Sequence, residues 1–335
     1  MKKLWKPVGV ALLILAALAG ILNDISNERA VSKAAIVAEI KATQTKLARA
    51  ESNYGTVLPH GVKVYSAAET GRLLELYRQL QERVDLLQTG RSETAAGHWR
   101  DVPIHEGSGT YFGVSEVERA LRGFKAPAGL LAGLRIYLLP GTMPGISGMG
   151  QAGYNLLAAE AGSSLTSVEQ LRVTLYHEIG HHVHMTYMPT SEEAGRELWR
   201  TYLARRGGQW HGPGAANTGA WGASSEETFA EDFRMLFGTD QPYYGDLELG
   251  DIRETPGRAA AIKRFMTGLA GGARRESYRS PWLPEGIGFW TAQPWLIAGM
   301  WMGLLTALGA TRRISARGNW IGSGTAENDP ATVGL

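Results

Sequence analysis

The stretch that most constrains this chain is Leu175-Tyr176-His177-Glu178-Ile179-Gly180-His181-His182, which contains the pattern His-Glu-x-x-His. On a helix, residues four apart lie one above the other. His177 and His181 can therefore offer two imidazole nitrogens to one metal ion, with Glu178 beside it as a proton acceptor. The pattern is short. It carries that meaning only on a helix and only with a third ligand.

The helix is legible in the flanking residues. Thr166-Ser167-Val168-Glu169 reads as a capping box, in which the Thr166 hydroxyl satisfies a free amide and Glu169 reaches back to the cap. Val168, Leu171, Leu175, Ile179 and Val183 then form one apolar stripe. At about 100° per residue, His177 and His181 point away from it. A metzincin site would need Gly at position 184 and His at 187, where the chain has His184 and Tyr187. That subclass is excluded, and His182 and His184 read as structural or surface residues.

The chain has no cysteine, so a metal site must use His and carboxylates; this donor set suits Zn2+ with three protein ligands and one position for water. A second helix is expected over Ser224 to Phe237, with Phe229, Phe233, Leu236 and Phe237 on its buried face and Gly238 at its C-terminal cap. Glu227 and Glu231 share the other face. One of them can complete the site while the other orients a ligating imidazole. Ser224-x-x-Glu227 is itself a capping box, so spacing alone also allows Glu227 to cap the helix, with Glu226 or Glu231 as the ligand.

The pairing of His177-Glu178-x-x-His181 with Glu227-x-Phe229-Ala230-Glu231-x-Phe233-Arg234 resembles the catalytic domain of anthrax lethal factor and its relatives, a family of gluzincin metalloproteases. The resemblance spans Gly133 to Leu269. It implies an α+β, zincin-like domain with a small mixed sheet and the motif helix. It further implies zinc on His177, His181 and Glu227, Glu178 as general base, and Glu231 supporting a ligand. The family also keeps a Tyr shortly before the ligand Glu to stabilise the transition state; here that neighbourhood reads Gly219-Ala220-Trp221-Gly222. His211, Tyr243 and Tyr244 are the candidate replacements. The expected activity is that of a zinc metallopeptidase acting on a peptide or protein substrate. An alternative is an integral membrane protease similar to the CAAX prenyl protease group, which expects Asp four residues after the ligand Glu, where this chain has Glu231 and then Asp232. A third reading is a surface-bound, non-catalytic metal-binding module.

The remaining segments suggest where such a domain would work. Lys2, Lys3 and Lys6 precede the apolar run Val8 to Leu22, the layout of a signal peptide or N-terminal anchor over 1–22. Residues 24–90 read as a helical hairpin broken at Tyr54 to Gly61, with Ile40 and Leu47 on one helix and Leu73, Leu76, Leu80, Val84 and Leu87 on the other. The metalloprotease domain is placed at 100–270, with a short helix over Ser115 to Phe124, strands over Leu134 to Leu139 and Tyr154 to Ala158, and a last helix over Gly257 to Leu269. A linker follows at 271–286. Residues 287–310 contain no charged side chain and are long enough to span a bilayer, and the tail at 311–335 opens with Arg312 and Arg313. Both termini would then be cytoplasmic, with the catalytic domain outside the cell membrane; a secreted protein is the alternative if 287–310 does not span.

Two partner classes are disfavoured. A net charge of +2, without a basic block interleaved with aromatics, argues against nucleic acid. Gly148, Gly150 and Gly153 match Gly-x-Gly-x-x-Gly, but they fall in the expected loop Met143 to Gly153 and lead into a strand rather than a helix, which argues against a nucleotide. They are expected to let backbone pass close to the active site.

Overall fold

The structure is a computed structural model. It describes residues 33–89, 98–99, 102–103, 105–106, 109–143, 147–160, 167–209, 224–238, 241, 249–272 and 280–282. The leader, the 287–310 stretch and the tail lie outside the described residues, as do Thr166, His211, Gly219 to Gly222, Tyr243 and Tyr244. Among the described residues, no helix is long and apolar enough to cross a membrane.

The expected α+β class is observed. In chain order the elements are α1 (33–53), β1 (Thr56–Val57), β2 (Lys63–Tyr65), α2 (Ala67–Thr89), β3 (His98–Trp99), β4 (Val102–Pro103) and β5 (His105–Glu106). Then come α3 (Val114–Arg122), α4 (Ala128–Leu131), β6 (Arg135–Leu138), β7 (Gly141–Thr142), β8 (Gly148–Gln151) and β9 (Tyr154–Leu157). The remaining helices are α5 (Val168–Tyr187), α6 (Glu193–Arg206), α7 (Ser225–Phe237) and α8 (Pro256–Leu269). The main sheet has the order β1-β2-β6-β9-β8. Strands β2, β6 and β9 run parallel, while the edge strands β1 and β8 run antiparallel to their neighbours. Every residue of β9 is buried, so this inner strand shows no polar alternation.

Both sheet faces are covered. Val64, Ile136 and Leu138 join a core built with Leu175, Ile179, Phe229 and Phe233. On the other face Tyr65 and Tyr137, paired in register, stack at 4.4 Å. Tyr65 donates its hydroxyl proton to the Glu51 carbonyl at 2.8 Å, and Tyr137 donates to the Glu51 carboxylate.

The expected helical hairpin packs on the core. The helices α1 and α2 exist, and an ion pair from Glu39 to Arg83 at 2.8 Å joins the start of one to the end of the other, as in an antiparallel pair. Between them, however, β1 and β2 enter the main sheet, so the pair is continuous with the core. The expected linker at 271–286 is also anchored. Ser280 donates to Glu51 at 3.0 Å, and buried Trp282 packs edge-on to Tyr137 at 5.0 Å. The expected loop over Met143 to Gly153 contains a strand: Gly148 and Gly150 lie in β8, and Gly153 (φ 86°) turns the chain into β9.

Candidate metal centre

Helix α5 carries the motif. Its N-cap is Ser167, whose hydroxyl accepts from the Gln170 amide at 3.1 Å, one residue later than the expected Thr166 cap. The helix is buried on almost every side from Val173 to His184, not only along its apolar stripe. The same is true of α7 from Thr228 to Met235, so the face carrying Glu231 is covered rather than solvated, and Leu236 is only partly buried. Two histidines and several carboxylates thus leave water together, which requires that each find a partner.

The two helices meet closely at Gly180. A Cβ there would lie 2.6 Å from Ala230 Cα and 2.9 Å from its carbonyl oxygen. Backbone atoms yield little, so Gly180→Ala should push α7 off α5, cost about 1–3 kcal/mol of stability and weaken metal binding as Glu227 moves away. Thermal unfolding and a zinc titration check this; wild-type values in both would show that the helices do not meet there. On the other side, β8 crosses α5 at similar range. A Cβ on Gly150 would meet the Glu178 carbonyl at 2.2 Å, and one on Gly148 would meet Glu178 Cγ at 2.7 Å. Glycine is needed here for closeness, as its place near the motif suggested.

Three donor atoms converge. His177 Nε2 lies 3.2 Å from His181 Nε2 and 3.0 Å from Glu227 Oε2, and the third edge, His181 Nε2 to Glu227 Oε2, is 3.4 Å. Metal bonds of about 2.0–2.2 Å in a tetrahedron give ligand separations of roughly 3.3–3.6 Å, so the triangle is close to, and slightly tighter than, one tetrahedral face. His177, His181 and Glu227 form a buried group able to hold a metal ion. The capping alternative for Glu227 is resolved without conflict: the Glu227 amide donates to Ser224 Oγ at 3.3 Å, while its carboxylate faces the histidines. Glu226 accepts from the Ser224 hydroxyl instead.

Glu231 lies behind His177. Its Oε2 is 3.3 Å from His177 Nδ1 and accepts from Arg234 Nε at 2.8 Å, and both side chains are fully buried. A proton on Nδ1 held toward Glu231 leaves Nε2 free to ligate. Asp232 points elsewhere, accepting from Arg206 and Tyr202 at 2.8 Å. Burial, only partly offset by Arg206, raises its carboxyl to about 6.

The two histidines first read as structural or surface residues are both buried, and they differ in role. His182 Nδ1 accepts from the Gly153 amide at 2.9 Å and its Nε2 donates to the Leu130 carbonyl at 3.2 Å, fastening α5 to the β8–β9 turn and to α4. His184 Nε2 lies 3.0 Å from His181 Nδ1, directly behind one of the candidate ligands. The available signal was its spacing of three from His181, which puts both on one helix face.

The electrostatics of the metal-free cluster follow from these contacts. Burial opposes a cation on His177, but hydrogen bonds to Glu227 and Glu231 outweigh it and raise the imidazole to about 9. Burial likewise opposes the Glu227 anion, yet bonds from His177 and His181 hold its carboxyl well below the usual range. Glu178, fully buried, is pushed upward by that burial. A histidine raised on folding lends stability that is complete below its ordinary 6.5 and lost as the pH climbs through about 9. Glu227, lowered on folding, lends stability above its ordinary 4.5 that is lost as the pH falls. Metal-free protein should therefore lose thermal stability from pH 6.5 to 9; a melting temperature that is flat or rising over that window would contradict the His177 pairing.

Comparison with known protein families, with curated proteins and with solved structures returned no match to this chain.

Proposed function

We propose that this chain is a zinc-dependent endopeptidase of the gluzincin type, similar to the lethal factor catalytic family. The observation that carries the reading is the tetrahedral-sized triangle of His177, His181 and Glu227, with Glu178 held beside it. Zinc bound there would act as a Lewis acid and bring the pKa of a water toward ~7.

The chain's own residues supply the rest. Glu178 takes the water proton and returns it to the leaving amine, a task suited to a carboxyl that burial pushes upward. Glu231, anchored by Arg234, fixes the tautomer of His177. Among the described residues strand β8 is the last of the sheet and passes over Glu178 and His181, so an extended peptide pairing with its outer edge would lie across the cluster.

The reading as a CAAX-type membrane protease is less well supported, because Glu231 holds the position facing His177 and Asp232 is committed to Arg206. The extracytoplasmic, membrane-tethered location rests on the two apolar terminal stretches; release of the whole protein by carbonate extraction would sink it. The decisive experiment for the activity is metal analysis of purified protein together with cleavage profiling of a peptide library. Stoichiometric zinc and chelator-sensitive cleavage are expected. Zinc without cleavage would favour the non-catalytic module.

A further inference from the structure

We propose that His184 is a positioning residue for the metal centre, accepting a hydrogen bond from His181 Nδ1–H at its own Nε2 and so holding His181 Nε2 toward His177 and Glu227. The inference rests on the metal-centre reading above and adds a residue that the motif does not contain.

The geometry is specific. His181 Nδ1 and His184 Nε2 are 3.0 Å apart, and an imidazole that ligates through Nε2 carries its proton on Nδ1. His184 is then neutral and accepts at Nε2. Its ring has little freedom: it is 3% exposed and lies edge-on to Trp199 at 5.3 Å and Phe229 at 5.7 Å. Trp199 is itself fixed, donating its indole proton to the Met188 carbonyl at 2.9 Å.

The two ligating histidines are therefore supported differently. His177 leans on an anion, Glu231, whose charge Arg234 balances, whereas His181 leans on a neutral ring. The asymmetry has an electrostatic reason. Glu178 and Glu227 would already place two carboxylates beside a bound dication, and a carboxylate behind His181 would add a further buried charge that needs its own partner. His184 also walls a cavity of about 400 Å3 shared with Gln151, Met185, Met188, Trp199 and Glu226. A ligand entering that cavity meets the side chain that steadies His181.

The test compares His184→Leu and His184→Gln with wild type in the full chain. It measures zinc affinity by competition with a chromogenic chelator, and the melting temperature of the metal-free protein. Leu suits the apolar surroundings but accepts no hydrogen bond, so zinc affinity should fall roughly 10- to 100-fold with little change in metal-free melting. Gln can place an amide oxygen near the same point and should recover most of the loss. Wild-type affinity in His184→Leu overturns the proposal. So does His184→Gln binding as weakly as His184→Leu, because the loss would then come from packing alone; if the Leu variant fails to fold, a His184→Gln affinity about 10-fold or more below wild type still overturns the proposal. A wild type that takes up no zinc fails the metal-centre reading itself, whereas normal uptake with indifferent variants fails only the role of His184.

Discussion

Replacing Glu178 with Gln should lower kcat/KM for peptide hydrolysis by roughly 10²- to 10⁴-fold while leaving zinc stoichiometry unchanged. The side chain fills a slot under β8 where a Cβ on Gly148 would come within 2.7 Å of Glu178 Cγ, and Gln has the same shape. Packing and the three ligands are therefore preserved, and only proton acceptance is lost. The carboxyl is suited to that task because burial pushes its pKa upward and so makes it a better proton acceptor. Parallel kinetics and metal analysis decide it. Full activity in Glu178→Gln would remove the general base from this site, and loss of zinc would show that Glu178 has a structural duty instead.

Glu227→Ala should cost the protein its zinc. The substitution removes one corner of the donor triangle and leaves two imidazoles, so the drop in affinity should exceed the roughly 10- to 100-fold attached to losing a supporting hydrogen bond. Neighbouring carboxylates are poorly placed to substitute. Glu231 is engaged by Arg234 and by His177 Nδ1, and Glu226 is turned to the Ser224 hydroxyl. The Ser224 cap depends on the amide of residue 227 rather than its side chain, so α7 should remain folded. Stoichiometric zinc in the purified variant would place the third ligand elsewhere.

These two variants separate the two jobs proposed for the site, proton transfer and metal holding. Gly180→Ala tests a third property, the closeness of α5 and α7 on which both jobs depend. The buried network behind them, Arg206 with Asp232 and Tyr202, ties α6 to α7 and also reaches the Leu249 carbonyl. Helix α6 itself was not anticipated. Its buried side chains Trp199, Tyr202, Leu203 and Arg206 include a cation, which makes the apolar periodicity hard to recognise.

What could be read in the sequence was whatever depends on short separations along one element. The histidines of the motif are four apart, so any helix stacks them, and the Ser224 cap with Phe229 and Phe233 sufficed to predict α7. The strands of two or three residues offered too little pattern. Thus β1, β2 and the three short strands between residues 98 and 106 went unread, and β8 looked like a loop because its glycines carry no hydrophobic signal. The choice among Glu226, Glu227 and Glu231 belonged to the tertiary structure, as did the burial of His182 and His184. The burial of His182 depends on α4 and the β8–β9 turn closing over α5, whereas the other two depend on how two helices some fifty residues apart in sequence are rotated and spaced, with backbone meeting backbone at Gly180 and Ala230.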